Sequence, residues 1–178
     1  WHESPGTLTV AHQPDWELPS YAEAYILLDK TGETTATLTA LIHMTEEQAH
    51  AAAAAAYDDY LNNLYRSLKA WRRGNELGAR LQAAESSYAL LRLLFALEQR
   101  YRPYHDRLWL HLDKLAGQGW QPDELPTLLL DLLTNGTPRR QQNIARQVAA
   151  LLQERGFGYV YDGWEGQIDE ILAWSFAV

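Results

Sequence analysis

Two periodicities divide the chain near residue 44. Before it, apolar and polar positions alternate. Thr7-Leu8-Thr9-Val10 is β-branched with period two, Tyr25 to Leu28 reads as a strand entering a turn at Asp29 to Gly32, and Thr34 to Ile42 alternates threonine with alanine and leucine. The pattern predicts a β segment of two or three strands over 1–44, too small to be stable without packing on helices or on a partner. After it, apolar positions recur at intervals of three and four, the helical period.

The helical part begins at Thr45-Glu46-Glu47-Gln48, a capping box in which the Thr hydroxyl accepts from the Gln48 backbone and the Gln side chain reaches back. The alanine run 51–56 follows, and the helix is expected to end near Arg73, before Gly74-Asn75. A second helix over about 76–100 carries Leu77, Leu81, Tyr88, Leu91 and Phe95 on one face, widened by Leu90, Leu94 and Leu97, as expected for the centre of a bundle. Pro103 suits the first turn of a third helix reaching about Ala116. A fourth starts at Pro122 and stops at Asn135-Gly136. Thr137-Pro138 caps and starts a fifth that ends at Gly156, and 163–174 forms a short last one. The expected fold is mainly α: a bundle of five to six helices over 45–178, preceded by the small β segment, with short connections and antiparallel neighbours.

Composition narrows the function classes. The 178 residues are 47% hydrophobic and 21% charged, as in ordinary globular proteins, and long enough for one domain. The net charge of −8 argues against non-specific binding to nucleic acid or an anionic membrane. No cysteine is present, which excludes disulfides and thiolate zinc sites and suits a cytoplasmic protein. No apolar run of membrane length occurs. The first residue is Trp, so the chain is expected to be preceded by further sequence.

Placed polar groups concentrate between Tyr60 and Asp113. Asn62, Arg66, Lys69 and Arg73 fall at steps of four, three and four, one stripe on a helix, with Arg72 adjacent and Tyr65 adding a hydroxyl. Leu61, Leu64, Leu68 and Trp71 mark the core side. Arginine grips phosphate or carboxylate with two parallel bonds, and lysine adds a mobile charge. The bland reading is a solvated face with cations near a helix C-terminus. Glu85 stands mid-helix among apolar residues, and Gly78, Ala79, Ala83, Ala84 and Ala89 keep that helix slim enough for a ligand or another helix to approach. There a carboxylate can act as general base toward a hydroxyl or bind an amine, or simply pair with Arg66, Lys69 or Arg80. Arg100 and His105 have the spacing of a pair found in small helical ribonucleases, although Pro103 between them fits a helix junction. His105, His111 and Asp113 lack metal-ligand spacing, Asp58 and Asp59 point apart, and neither a P-loop nor a dinucleotide fingerprint occurs, so no metal ligands are assigned.

The run Tyr60-Leu-Asn-Asn-Leu-Tyr-Arg-Ser-Leu-Lys-Ala-Trp-Arg-Arg-Gly-Asn75, the run from Glu85 to Leu97, and Arg100-Tyr-Arg-Pro-Tyr104 with Leu108 resemble the helical domain behind the catalytic palm of nucleotidyltransferase-like proteins, relatives of kanamycin and other aminoglycoside nucleotidyltransferases. The resemblance covers about 45–116, and residues 1–44 resemble the end of the palm sheet. The palm's Gly-Ser turn and Asp-x-Asp pair are absent. The resemblance implies a helical half that contacts substrate and phosphate and is inactive alone. Asn62, Tyr65, Arg66, Lys69 and Arg73 would bind phosphate or substrate, and Glu85 would be the catalytic group facing the acceptor. No cofactor is expected on this chain; Mg²⁺ and a nucleoside triphosphate are implied if a palm is present. Expected partners are a nucleotide and a small-molecule acceptor, with a homodimer left open. The alternatives are a non-catalytic helical module of antitoxin-like or regulatory kind, and a small ribonuclease using Arg100 and His105.

Overall fold

The computed structural model describes residues 17–115, 124–157, 164 and 166–176. Its elements are helical: a 3-10 helix Leu18–Glu23, α1 Glu33–Ile42, α2 Glu46–Arg72, α3 Glu76–Leu97, two 3-10 helices His105–Leu110 and Leu112–Leu115, α4 Glu124–Thr134, α5 Pro138–Glu154 and α6 Gln167–Ala173.

The expected β segment is not seen among the described residues. Thr7 to Val10 lie outside them, and 34–42, read as a strand, belongs to α1. The physical reason is local. The Asp29 carboxylate accepts from both the Thr35 backbone N–H (2.8 Å) and the Thr35 hydroxyl (2.7 Å), which ties down the first turn, and the Thr39 hydroxyl returns to the Thr35 carbonyl at 2.9 Å. These bonds satisfy the threonines inside a helix and outweigh their β preference. Among the described residues the single β pairing is an isolated antiparallel bridge between His43 and Arg100.

The core is the α2–α3 hairpin. Both halves of the expected capping box form at Thr45 and Gln48. Glu46 and Glu47 sit in the first turn of α2 and Lys69 and Arg72 in the last, each matching the helix dipole. Gly74 turns the chain at φ 71°, and the Asn75 side chain caps α3 by accepting from Gly78 N–H at 3.0 Å. Two serines set the register. The Ser67 hydroxyl donates to the Ala79 carbonyl (2.7 Å), and the Ser86 hydroxyl donates to the Tyr60 carbonyl (3.3 Å). The alanines at 53 and 56 are buried and let the helices approach, while Leu61, Leu64, Leu68, Leu90, Leu93 and Leu94 fill the seam. Each such leucine contributes about 1.5–3 kcal/mol of burial.

Helices α5 and α6 pack on α2, and α4 packs on α3. Pro138 starts α5 as expected, but Thr137 makes no side-chain capping bond. Gln142 donates to the carbonyls of Ile171 (3.0 Å) and Trp174 (2.9 Å), and Arg146 to that of Leu172 (2.8 Å), so α5 holds the C-terminal end of α6.

Two further expectations change. The third helix is replaced by the 3-10 helices at 105–110 and 112–115, and α3 stops at Leu97, where Gln99 turns at φ 54° and the Arg100 N–H folds back onto the Phe95 carbonyl. The expected α3 face is buried only in its second half: Leu91 and Phe95, with Leu90, Leu94 and Leu97, lie in the core, whereas Leu77, Leu81 and Tyr88 do not. Leu77 and Leu81 are 72% and 60% exposed, and the buried side runs through Ala79, Ala83, Leu90, Leu93 and Leu94. Leucines placed almost all round the helix leave its orientation undecided in sequence; the small residues at 79 and 83 decide it by allowing closer packing against α2.

Candidate functional site

The last turns of α2 carry the expected cations, and the structure builds a pocket on them. Tyr65, Lys69, Arg72 and Arg73 line a cavity of about 330 Å³ together with Trp174, which follows α6. Trp174 reaches this place because Gln142 and Arg146 hold the end of α6 against α5. The aromatic rings lie 5.8 Å apart at 47°. Lys69 Nζ sits 5.3 Å from the centre of the Tyr65 ring, and the Arg72 guanidinium sits 4.4 Å from that of Trp174. Each contact is a cation–π attraction of about 0.5–1 kcal/mol at an exposed site. It orients the charge without neutralising it.

Charge pairing is uneven: among the described residues Lys30, Arg100, Arg102, Arg139 and Arg146 lack a carboxylate partner as this cluster does, and what marks the cluster is four such cations gathered at the end of one helix. Arg80, Arg92, Arg107, Arg140 and Arg155 each have a carboxylate partner, at 2.5 to 3.2 Å. Among the described residues, Arg66, Lys69, Arg72 and Arg73 have none. In a chain of net charge −8, four neighbouring cations without a counter-charge form a local positive field able to hold an anion.

A polar network anchors this end of α2. Ser67, fully buried, accepts from Gln141 Nε2 at 2.9 Å while donating to Ala79. The same Gln141 nitrogen reaches the Gly136 carbonyl at 2.5 Å, and Trp71 Nε1 donates to that carbonyl at 3.0 Å. Gly136 turns at φ 48°, and a Cβ there would lie 2.9 Å from the Leu132 carbonyl oxygen, so glycine is required. The α4–α5 connection is thereby fastened beside the cationic turn.

Of the residues expected from sequence, the structure brings Tyr65, Lys69 and Arg73 together. Asn62 and Arg66 do not line the cavity; Arg66 is exposed on the adjoining face and Asn62 is half-buried a turn earlier. Trp174 was missed, since no local pattern places a residue so far along the chain.

Glu85 does not join the cations. The serine register puts it about level with Leu61, eight residues before Lys69, an axial offset of about 12 Å. It lines a different cavity, an open groove of about 620 Å³. Its floor is α3, with Tyr88 and Leu91; one wall is α4, with Leu129 and Leu133; the other is the 3-10 helix with Leu108 and Trp109. Arg80, one expected partner of Glu85, pairs with Glu76 at 2.7 Å instead. Glu85 is exposed and makes no ion pair or hydrogen bond among the described residues.

Arg100 and His105 line different cavities that share Tyr88. Arg100 lines a cavity with Met44, Arg92 and Arg102, whereas His105 lies in the groove with its ring 5.6 Å from that of Tyr88. No group of three or more metal-ligating side chains occurs, and no helix is long and apolar enough to cross a membrane, among the described residues.

No curated protein and no solved structure matches the chain. One family model does, described as a domain of unknown function (DUF4037), over residues 12–110. That span holds α1, the α2–α3 hairpin and the 3-10 helix at 105–110, hence the cationic turn, Glu85 and the groove floor; it leaves out α4, α5, α6 and Trp174. Because the match covers more than half of the sequence, the chain belongs to the DUF4037 family.

Proposed function

We propose that this helical domain grips the phosphates of a nucleotide through Lys69, Arg72 and Arg73, as the substrate-contacting half of a nucleotidyltransferase-like enzyme. The carrying observation is the set of neighbouring cations without a carboxylate partner in an aromatic-walled cavity. Arg72 and Arg73 would offer planar donor pairs to phosphate oxygens and Lys69 a point charge, beside the half-buried rings of Tyr65 and Trp174 that line the same cavity. The metal ions of the reaction would be held by carboxylates outside the described residues, and this chain alone is expected to transfer nothing. Glu85 would face the acceptor.

ATP titration of the 178-residue chain by calorimetry tests the reading. Each phosphate contact from a half-exposed cation contributes about 1 kcal/mol, so Lys69→Ala and Arg73→Ala should each weaken binding about fivefold. Arg66→Ala, outside the cavity, should change it less than about twofold. Equal losses from all three would show diffuse attraction and no built site.

A second reading, a helical module that docks on a macromolecule, draws on the N-terminal part. Helix α1 buries no residue, and Tyr25, Leu27 and Leu28 are largely exposed, so this part offers an apolar surface to a further body.

A further inference from the structure

The groove on the far side of α3 has a different chemistry from the cationic pocket. We propose that it binds an amphiphilic organic cation: a molecule with an apolar body that lies between α3, α4 and the 3-10 helix, and one protonated amine that pairs with Glu85. This deepens the acceptor-facing role proposed for Glu85 by naming the class of molecule, and it does not depend on nucleotide binding at Lys69.

Three observations carry it. The volume, about 620 Å³, suits one small molecule. The walls are apolar and left open to solvent: Trp109 is 71%, Leu130 62% and Leu133 51% exposed, which water-facing side chains of this size rarely are as a group. The available polar chemistry is narrow, coming from the His105 ring nitrogens and a few other side chains. The Ser87 hydroxyl is spent on the Ala83 carbonyl at 2.8 Å, and the Tyr88 hydroxyl already accepts from Arg102 at 3.0 Å. Among the described residues the carboxylate of Glu85 is left without a counter-charge, beside these apolar walls.

A ligand that covers the leucines also removes water from one side of Glu85. A neutral or anionic body would strand that carboxylate, while a cation at the same place gains a charge-assisted hydrogen bond. The single charge and the scarcity of donors and acceptors select against heavily hydroxylated amines, whose hydroxyls would be desolvated without partners. They favour a fused-ring or branched alkyl amine. His105, edge-on to Tyr88, gives a ring face at the same end.

The test compares two probes on the full 178-residue chain: 2-(2-naphthyl)ethylamine, protonated at neutral pH, and 2-(2-naphthyl)ethanol, its uncharged counterpart. Calorimetry should show the amine binding about tenfold more tightly than the alcohol, a difference of about 1.4 kcal/mol. Glu85→Gln should bring the amine down to the level of the alcohol and leave the alcohol unchanged; Glu85 is exposed, so the variant folds. Leu133→Ala should weaken both probes by a similar factor. An amine-to-alcohol ratio unaltered by Glu85→Gln overturns the proposal, as does absence of binding by both probes up to about 1 mM. So does a dimer by light scattering that Leu133→Lys dissociates, since a second copy would then occupy the groove. ATP titration of Glu85→Gln separates the two sites: unchanged ATP affinity with lost amine affinity leaves each reading to stand or fall alone.

Discussion

Replacing Ser67 with alanine tests the polar anchor behind the cationic turn. The hydroxyl is fully buried and makes two bonds, to the Ala79 carbonyl at 2.7 Å and from Gln141 Nε2 at 2.9 Å. Gln141 Nε2 keeps Gly136 as a partner after the change, and Ala79 keeps its place in the α3 ladder, so neither group is orphaned. The loss is then that of two ordinary buried bonds, about 2 kcal/mol. Gln141→Ala should cost more, about 2–4 kcal/mol, because it removes both Nε2 bonds and opens a void. Part of that loss is offset, since Gln141 Oε1 is buried with no partner and its desolvation penalty disappears. The Ser67–Gln141 bond is lost in either single variant, so the double variant should fall short of additivity by about 1 kcal/mol. Urea denaturation followed by circular dichroism measures all four proteins, with m unchanged across the set. In melting temperature, Ser67→Ala corresponds to a drop of about 4–8 °C for a protein of this size. A loss below about 0.5 kcal/mol for Ser67→Ala, or additivity within about 0.3 kcal/mol, would refute the direct bond.

Two further outcomes follow from the fold. Thr45→Ala removes half of the capping box and should cost about 1 kcal/mol by the same denaturation assay, with Gln48→Ala costing less because the Thr hydroxyl still caps the helix. Asp131 accepts from the Asn135 side chain and from Arg140, and these bonds, with the Arg140 charge, hold its carboxyl below its ordinary value of 3.8. A depressed carboxyl stabilises the fold above that ordinary value and loses the contribution as pH falls through the lower folded value. The stability gap between the native chain and Asp131→Asn should therefore be full at pH 7 and shrink in melts below about pH 4.

The helical half was legible wherever a local signal existed. The capping box, the Gly74-Asn75 break, the Asn135-Gly136 stop and Pro138 at the start of α5 are chemical instructions contained in a few adjacent residues. The failures share a cause. Thr34 to Ile42 alternates as a strand does, but Asp29, six residues before Thr35, supplies an acceptor outside the alternating segment that ties Thr35 into the first turn of a helix. On α3 leucines occur almost all round, so periodicity could not say that Leu81 faces solvent and Leu93 the core. The segment after Pro103 carries a valid helix start and buries His111, Leu112 and Leu115 at helical spacing, yet it winds as 3-10 turns, an outcome that the pattern of apolar positions does not distinguish from an α-helix. The cations of the pocket were readable because they sit on one helix. Trp174 and the separation of Glu85 from Lys69 were not, since both depend on how helices far apart in sequence are placed.

The two serine bonds across the hairpin have a consequence for how this domain can vary. They make α2 and α3 a fixed scale on which the cationic turn and Glu85 are two marks. Inserting one residue between Tyr60 and Ser67 would advance the cations by about 1.5 Å and swing them by about 100°, breaking the match to Ala79 at the same time. Edits of about seven residues, two full turns made in both helices together, are the smallest that keep both marks on their faces. Lengthening of this hairpin is therefore expected in paired whole turns, with the spacing between its two cavities changing in jumps of about 10 Å.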